Sequence, residues 1–520
     1  MSSRGVHDGG PLVRRAAGST VASLFFGQAR LHPERAAIVD GPRLLTYAAL
    51  ADRVRRLAGV LDARGLGRGA RLAILSENRA EYLELFLAAA TVGAVVACPN
   101  CRLAPPELAQ CLDLVEPEAV LASPRHAPKL AAAGARQPPL LFGGPYEEIL
   151  AAQSPRRESA APASGDPVDP EDPLLILYTS GTTGLPKGAV LSHRAEIARN
   201  LVLRAEYGLA ASDTFVAWSP LYHMGAADCS LGTLMAGGKV ITIDGFDRVA
   251  LAQIVGTEAL GLLLLMPGMV SAFAAELEAR AVRPKGVKIC GVMADLVPAA
   301  EIARITRLLG APYGNTFGAT ETGWPPASSN NIPVGVAPKR LPKEQSPFCE
   351  VKLVDPDDAE VPDGQPGELC MRGPTLFSGY FRADAINAQE FRGGWFHLGD
   401  VFVRNPDGTL DFVDRVKYLI KSGGENIYPA EIERLMLRDA RVAEAAVVRA
   451  PDPKWGEVPI AFVARRDPAL TEGDLLRLCR AGLAGYKQPK EIRFISVEDF
   501  PRSASGKIQR HELEKLISTR

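Results

Sequence analysis

Tyr178-Thr-Ser-Gly-Thr-Thr-Gly-Leu-Pro-Lys-Gly-Ala-Val190 follows the apolar run Leu174–Leu177, and this glycine- and hydroxyl-dense stretch decides the reading of the chain. Its composition suits a polyphosphate. Glycines at 181, 184 and 188 let backbone approach an anion closely and aim N–H groups inward, and the hydroxyls of Thr179, Ser180, Thr182 and Thr183 add donors. Lys187 adds a point charge. The spacing is neither a Walker loop, since no Gly-Lys-Ser/Thr follows Gly184, nor a dinucleotide fingerprint.

Upstream and downstream, helical and strand-like stretches alternate. Tyr47–Arg64 and Arg79–Gly93 carry helical periodicity, Ala70–Leu75 reads as a strand between them, and residues 152–173 form a Pro/Ser/Asp-rich linker ahead of the phosphate loop. Strands are expected at Phe215–Trp218, Lys239–Ile243, Leu262–Met266 and 291–295, a helix at Ala226–Ala236, and a hairpin turn at Asp407-Gly408. This order predicts an α/β fold with largely parallel sheets in a large N-terminal domain, residues 1–414. A smaller α+β domain, residues 418–520, follows a charged connector at 415–417, with the shared site in the cleft between them.

The 520-residue chain needs more than one core. Its 59 basic and 60 acidic residues leave a net charge of −1, which excludes a global field for nucleic acid or an anionic membrane. The N-terminus lacks a secretory h-region, and no apolar run reaches the roughly 18 residues of a membrane span. Eight scattered cysteines fit reduced thiols in a cytoplasmic protein. Cys98-Pro-Asn-Cys101 is formally a redox or half-zinc motif, but neither a second cysteine pair nor a nearby histidine completes it.

Further motifs follow the loop in a fixed order: Thr316-Phe-Gly-Ala-Thr-Glu321, Trp395-Phe-His-Leu-Gly-Asp400, Asp414-Arg-Val-Lys417, Lys421-Ser-Gly-Gly-Glu-Asn-Ile-Tyr-Pro429 and Pro501-Arg-Ser-Ala-Ser-Gly-Lys507. With them the chain resembles the adenylate-forming family of acyl-CoA synthetases, firefly-type luciferases and peptide-synthetase adenylation domains, from about residue 20 to its end. The resemblance implies an acid–CoA ligase that makes acyl-CoA, AMP and pyrophosphate from ATP, CoA and a small carboxylic acid through an acyl-adenylate.

By that resemblance, the 179–188 loop holds the β- and γ-phosphates, with Thr182 counted among the catalytic residues, and Glu321 holds Mg²⁺. Asn315, Thr316, Phe317, Gly318 and Thr320 surround the nucleotide, Phe317 lying on the adenine. Asp400 and Arg415 take the ribose. Lys507 bridges the carboxylate and the α-phosphate, His223 in Pro220-Leu-Tyr-His-Met-Gly225 orients the acid, and Ala226, Ala227 and Met293 line the acyl pocket, with Gly232 leaving further room. Met293 falls in Gly291-Val-Met-Ala-Asp295, where the family commonly has Gly-Gly-Ala-Pro. Lys421, Ser422, Gly423 and Gly424 form the loop that serves thioester formation after the small domain rotates about Lys417. Trp455 and Tyr486 stand where CoA adenine is stacked, while Gln488 replaces a frequent arginine.

Two rival readings are a carrier-protein loader, against which Trp455 and Tyr486 lean towards CoA, and a retired nucleotide-binding regulator, which has no reason to keep Lys421 and Lys507. The sequence leaves the acid open among aliphatic, alicyclic and aryl classes, and it allows a homodimer without requiring one.

Overall fold

The computed structural model describes residues 16, 18–156, 167–180, 186–423, 425–502 and 508–518. Gly181, Thr182, Thr183, Gly184, Gly424 and Lys507 lie outside the described residues. The chain divides into two compact units, one of residues 1–350 with 372–389 and one of residues 351–371 with 390–520.

In the first unit, two mixed, mainly parallel sheets are built from short apolar strands such as Val95–Cys98 and Leu260–Leu263, both buried along their whole length. The six-stranded sheet runs in spatial order 140–141, 119–122, 71–75, 95–98, 173–180, 186–192. The eight-stranded sheet runs 331–332, 313–314, 287–290, 260–263, 214–217, 239–242, 36–40, 43–46. Helix Ala80–Val92 is apolar on nearly every face because it lies between the sheets, touching Val95–Cys98 and Pro173–Ser180 of one and Ala36–Asp40 of the other. Of its two buried acids, the fully buried Glu84 is paired with Arg53 at 2.6 Å and accepts from the Tyr146 hydroxyl at 2.7 Å.

The second unit carries a four-stranded sheet, 350–354, 366–372, 396–404 and 410–415, whose last three strands run antiparallel. The turn expected at Asp407-Gly408 joins its last two strands, with Gly408 at φ 84°. A five-stranded sheet centred on Gly456–Arg465 and Val442–Asp452 follows. One of its faces packs Ile432, Met436, Leu475 and Cys479, and the other Phe500 and Leu513. The packing division differs from the boundary read at 414–417, and the reason is local. Arg415 is paired across the sheet with Asp400, and the Asp414 carboxylate accepts from the Ala430 N–H at the start of helix Pro429–Met436. The connector is thereby tied to the elements on both sides of it.

Two expected elements are corrected. The 291–295 segment is not a strand: the strand ends at Cys290, and a short 3-10 turn occupies 294–296. The strand expected at Leu262–Met266 runs Leu260–Leu263, and Pro267 opens a 3-10 turn behind it. Among the described residues no helix is long and apolar enough to cross a membrane, and no cluster of metal-ligating side chains occurs. All eight cysteines are free. Cys98 and Cys101 are buried, and that burial pushes both thiols up, away from redox or zinc chemistry.

Candidate active site

The glycine-rich stretch is a hairpin more than a loop. Strand Pro173–Ser180 pairs antiparallel with Pro186–Ser192, bringing Thr179 opposite Lys187. Only 181–185 at its tip lies outside the described residues. Gly188 therefore serves packing within the hairpin, since a Cβ there would stand 2.8 Å from the Ile176 methyl.

Segment 378–381 runs alongside the second arm: Ser378 N–H donates to Val190 O, and Phe381 N–H to Gly188 O. This places Tyr380 beneath the hairpin. The Lys187 ammonium lies 4.7 Å from the centre of its ring, a cation–π distance, and the Tyr380 hydroxyl donates to Glu321 Oε1 at 2.8 Å. Tyr380 was not singled out from the sequence. Gly379, at φ 94°, fixes the turn that aims it, and a glycine before an aromatic is too common to signal a site.

Glu321 is half-buried, and the Phe377 N–H donates to its carbonyl at 2.9 Å. Its second carboxylate oxygen takes no donor among the described residues. A carboxylate fixed through one oxygen and open at the other has the chemistry to hold a hard divalent cation.

The motif around it is packed tightly. Gly318 is obligatory, because a Cβ would fall 2.1 Å from the Gly323 carbonyl oxygen on the paired strand. Asn315 and Thr316 are buried, Phe317 is half-buried, and Asn315 donates to Pro342 O at 2.8 Å and accepts from Lys343. Lys343, itself fully buried, also pairs with Asp295 at 2.5 Å, and nothing in the sequence set it apart from a surface lysine.

His223 is the N-cap of helix Met224–Ala236, half-buried with its ring 4.8 Å from that of Tyr222. The turn that carries it hangs on Asn78. That side chain accepts from Leu221 N–H at 2.8 Å and donates to the carbonyls of Ala217, Ser219 and Ile243. Ala226 and Ala227 are fully buried at the start of the helix. Gly232 is not a pocket residue: a Cβ there would meet the Asn200 carboxamide oxygen at 2.5 Å, on the neighbouring helix His193–Tyr207. Met293 is half-buried with φ 51° and ψ 53°, the left-handed region in which a glycine carries no steric cost.

In the second unit Asp400 is buried and its Oδ1 lies 3.0 Å from Arg415 Nε, so the two expected ribose residues meet. Glu368 steadies them. One of its oxygens accepts from Gly399 N–H at 3.1 Å, and the other contacts His397 Nδ1 at 3.1 Å and Arg392 Nη2 at 3.2 Å. On the CoA-side surface Gly423, at φ 58°, lies flat against Trp455: its N–H donates to the Trp455 carbonyl at 2.7 Å, and a Cβ would strike the indole at 2.7 Å. Trp455 and Tyr486 are 41% and 43% exposed. Lys421 is exposed, Ser422 is buried, and Lys417 is exposed within the short turn Val416–Tyr418.

Residues 25–381 match the model of the AMP-binding enzyme family, and 431–507 match that of the AMP-binding enzyme C-terminal domain. A feruloyl-CoA synthase from Amycolatopsis is 36% identical over 500 residues, covering 94% of this chain and 97% of that one. The indoleacetate–CoA ligase of Aromatoleum aromaticum is 33% identical over 94% and 96%. Among solved structures, the o-succinylbenzoate CoA synthetase of Bacillus subtilis with its acyl-adenylate superposes with TM-score 0.80 at 25% identity, covering 94% and 97%. ATP-bound MatB from Rhodopseudomonas palustris gives 0.80 at 28%, covering 96% and 99%. Carrier-protein loading is not favoured by the relatives named as CoA synthases and ligases. The chain belongs to the AMP-binding enzyme family, and it is an AMP-forming acid–CoA ligase that works through an acyl-adenylate.

Proposed function

We propose that the acid is aromatic or arylalkanoic, and that the residues described above divide its activation and transfer between them. The acid class is supported by the relatives, named for feruloyl and indoleacetate thioesters, and by the small buried side chains of Ala226 and Ala227 behind His223. The observation that carries the assignment of roles is the Lys187–Tyr380–Glu321 arrangement at the hairpin. Both reactants are anions, so positioning and charge neutralisation are the chain's main tasks.

Thr179, Ser180, Gly181, Thr182, Thr183, Gly184 and Lys187 would hold the β- and γ-phosphates. Mg²⁺ on Glu321 would offset phosphate charge. Phe317 would cover the adenine, flanked by Asn315, Thr316, Gly318 and Thr320, and Asp400 with Arg415 would take the ribose. His223 would orient the carboxylate, while Lys507 stabilises charge between it and the α-phosphate. Met293 would narrow the far end of the acyl pocket. Lys421, Ser422, Gly423, Gly424, Trp455 and Tyr486 would serve CoA after a rotation about Lys417. Eight free thiols, seven of them buried, support a reducing cytoplasm.

Pyrophosphate release from ATP, read with and without CoA over ferulate, indoleacetate, 2-succinylbenzoate and octanoate, tests the acid class. Ferulate or indoleacetate is expected to exceed octanoate in kcat/KM by about tenfold or more. A preference for octanoate retires it.

A further inference from the structure

Arg199 is fully buried on helix His193–Tyr207, and no step described so far uses it. All three of its nitrogens are engaged. Nη1 contacts Asp228 Oδ2 at 3.1 Å, Nε donates to Thr375 O at 2.9 Å, and Nη2 donates to Thr320 O at 2.9 Å. The two carbonyls are telling. Thr320 immediately precedes Glu321, and Thr375 opens the segment that grips Glu321 from the other side, through Phe377 N–H on its carbonyl and the Tyr380 hydroxyl on its carboxylate. One guanidinium thus ties together the two segments between which Glu321 is held.

The surroundings are shaped to that guanidinium. Gly323 has φ 78°, and a Cβ there would lie 2.8 Å from Arg199 Cγ and Nε, so the chain passes directly over the arginine stem. Asp228, on helix Met224–Ala236, supplies the countercharge. Glu196, one turn before Arg199, is also fully buried, and burial with the neighbouring Asp228 pushes its carboxyl well up. A buried ion pair of this kind is weak evidence for stability, because apolar residues of similar volume often do as well. A rigid planar fork that reads two carbonyls in fixed geometry is a property no apolar residue supplies.

We infer that Arg199, oriented by Asp228, is a positioning residue for the Glu321 carboxylate, setting its affinity for the divalent ion that accompanies ATP. The inference rests on the proposed metal role of Glu321, and the test separates the two. Mn²⁺ binding to the full chain saturated with α,β-methylene-ATP is followed by electron paramagnetic resonance, and AMP binding, which needs no metal, by calorimetry. Arg199→Met should weaken Mn²⁺ by about tenfold while AMP affinity changes by less than about threefold. Arg199→Lys, which keeps the charge but not the fork, should fall between Arg199→Met and wild type, and Asp228→Asn should weaken Mn²⁺ several-fold. If Arg199→Met does not fold, Arg199→Lys and Asp228→Asn carry the test.

Glu321→Gln serves as the reference. Loss of Mn²⁺ binding in Glu321→Gln with wild-type Mn²⁺ affinity in the Arg199 and Asp228 variants overturns the clamp. Wild-type Mn²⁺ affinity in Glu321→Gln retires the metal reading of Glu321 instead. Equal losses of Mn²⁺ and AMP in the Arg199 variants reduce the pair to a structural tie and also overturn the inference.

Discussion

Around Glu321 the side chains are tied to buried neighbours, whereas around Lys421 they stand in solvent and mainly the backbone is tied. The Glu321 carboxylate hangs from Tyr380, its carbonyl from Phe377, and both flanking segments from the buried Arg199. Lys421 is held by its N–H, which donates to Glu457 at 2.8 Å, and Gly423 by its N–H on Trp455 O. Trp455 and Tyr486 are each about two-fifths exposed. The difference fits the role proposed for each region. Charge stabilisation requires donors and acceptors fixed before the reaction. A surface that meets a long, flexible thiol carrier needs exposed stacking faces on a backbone that keeps its shape.

The sharpest way to break this comparison is to remove charge from one half-reaction. Lys507→Ala should lower pyrophosphate release from acid and ATP by about 10²–10³, the loss expected for one charge-stabilising donor. Conversion of a supplied acyl-adenylate and CoA to acyl-CoA should persist near the wild-type rate. Equal loss in both assays would falsify the division of labour. Lys417→Pro bears on the same division, since fixing φ near −65° and removing an N–H should affect the two half-reactions unequally; wild-type rates in both would place the pivot elsewhere.

The buried character of the first unit can be probed by pH. His193 opens helix His193–Tyr207 at 0% exposure, and its Nδ1 accepts from Val21 N–H at 3.2 Å. Burial depresses it to about 4. A depressed imidazole is neutral when folded but takes a proton when unfolded, so the unfolded state binds more protons below the ordinary histidine value. Stability is therefore fully present above about pH 6.5 and falls as pH drops towards 4, by about 3 kcal/mol in all. Urea titrations from pH 7.5 to 4.5 should show this slope, and His193→Gln, which retains an acceptor, should flatten it. An unchanged slope in that variant assigns the acid sensitivity to other groups.

On the exposed surface the expected effect is smaller and confined to one substrate. Trp455→Ala removes a face on which adenine can stack, an interaction worth about 1–3 kcal/mol for a nucleic-acid base. The KM for CoA should rise by about tenfold while CoA-independent pyrophosphate release stays at the wild-type rate. A matching fall in adenylation would show that the indole, lying against Gly423, supports the fold more than the carrier.

Legibility in the sequence follows the same line between the two regions. The strand at 71–75, the helices at 47–63 and 80–92, and the Asp407-Gly408 turn declare themselves through periodicity or turn chemistry. Asp400 and Arg415 were read through motif order, and they meet in the structure. Tyr380, Arg199, Asn78, Glu368 and Lys343 were invisible because each acts by reaching a group distant in sequence. Arg199 to Thr320 spans 121 positions, and Asn78 to Leu221 spans 143. Gly232 misled for a related reason: a small residue on a helix leaves room somewhere, and only the packing shows that Asn200 takes it.

Met293 is where the two kinds of region can be told apart most finely. A left-handed backbone costs a non-glycine residue about 1–2 kcal/mol. Met293→Gly relieves that cost while adding about 0.5–1 kcal/mol of chain entropy to the unfolded state. If the side chain lines the acyl pocket, these terms nearly cancel, and the melting temperature should hold within a few degrees. Bulkier acids should then gain about tenfold in kcat/KM, the scale of a small change of fit in an apolar pocket. If Met293 instead belongs to the packed interior beside Val292 and Tyr313, its removal leaves a cavity costing about 2–5 kcal/mol, with no change in acid ranking. The half-buried position of Met293 favours the first outcome, since a side chain packed wholly into the interior would be fully buried. A lowered melting temperature with an unaltered acid profile would move Met293 from the pocket to the core.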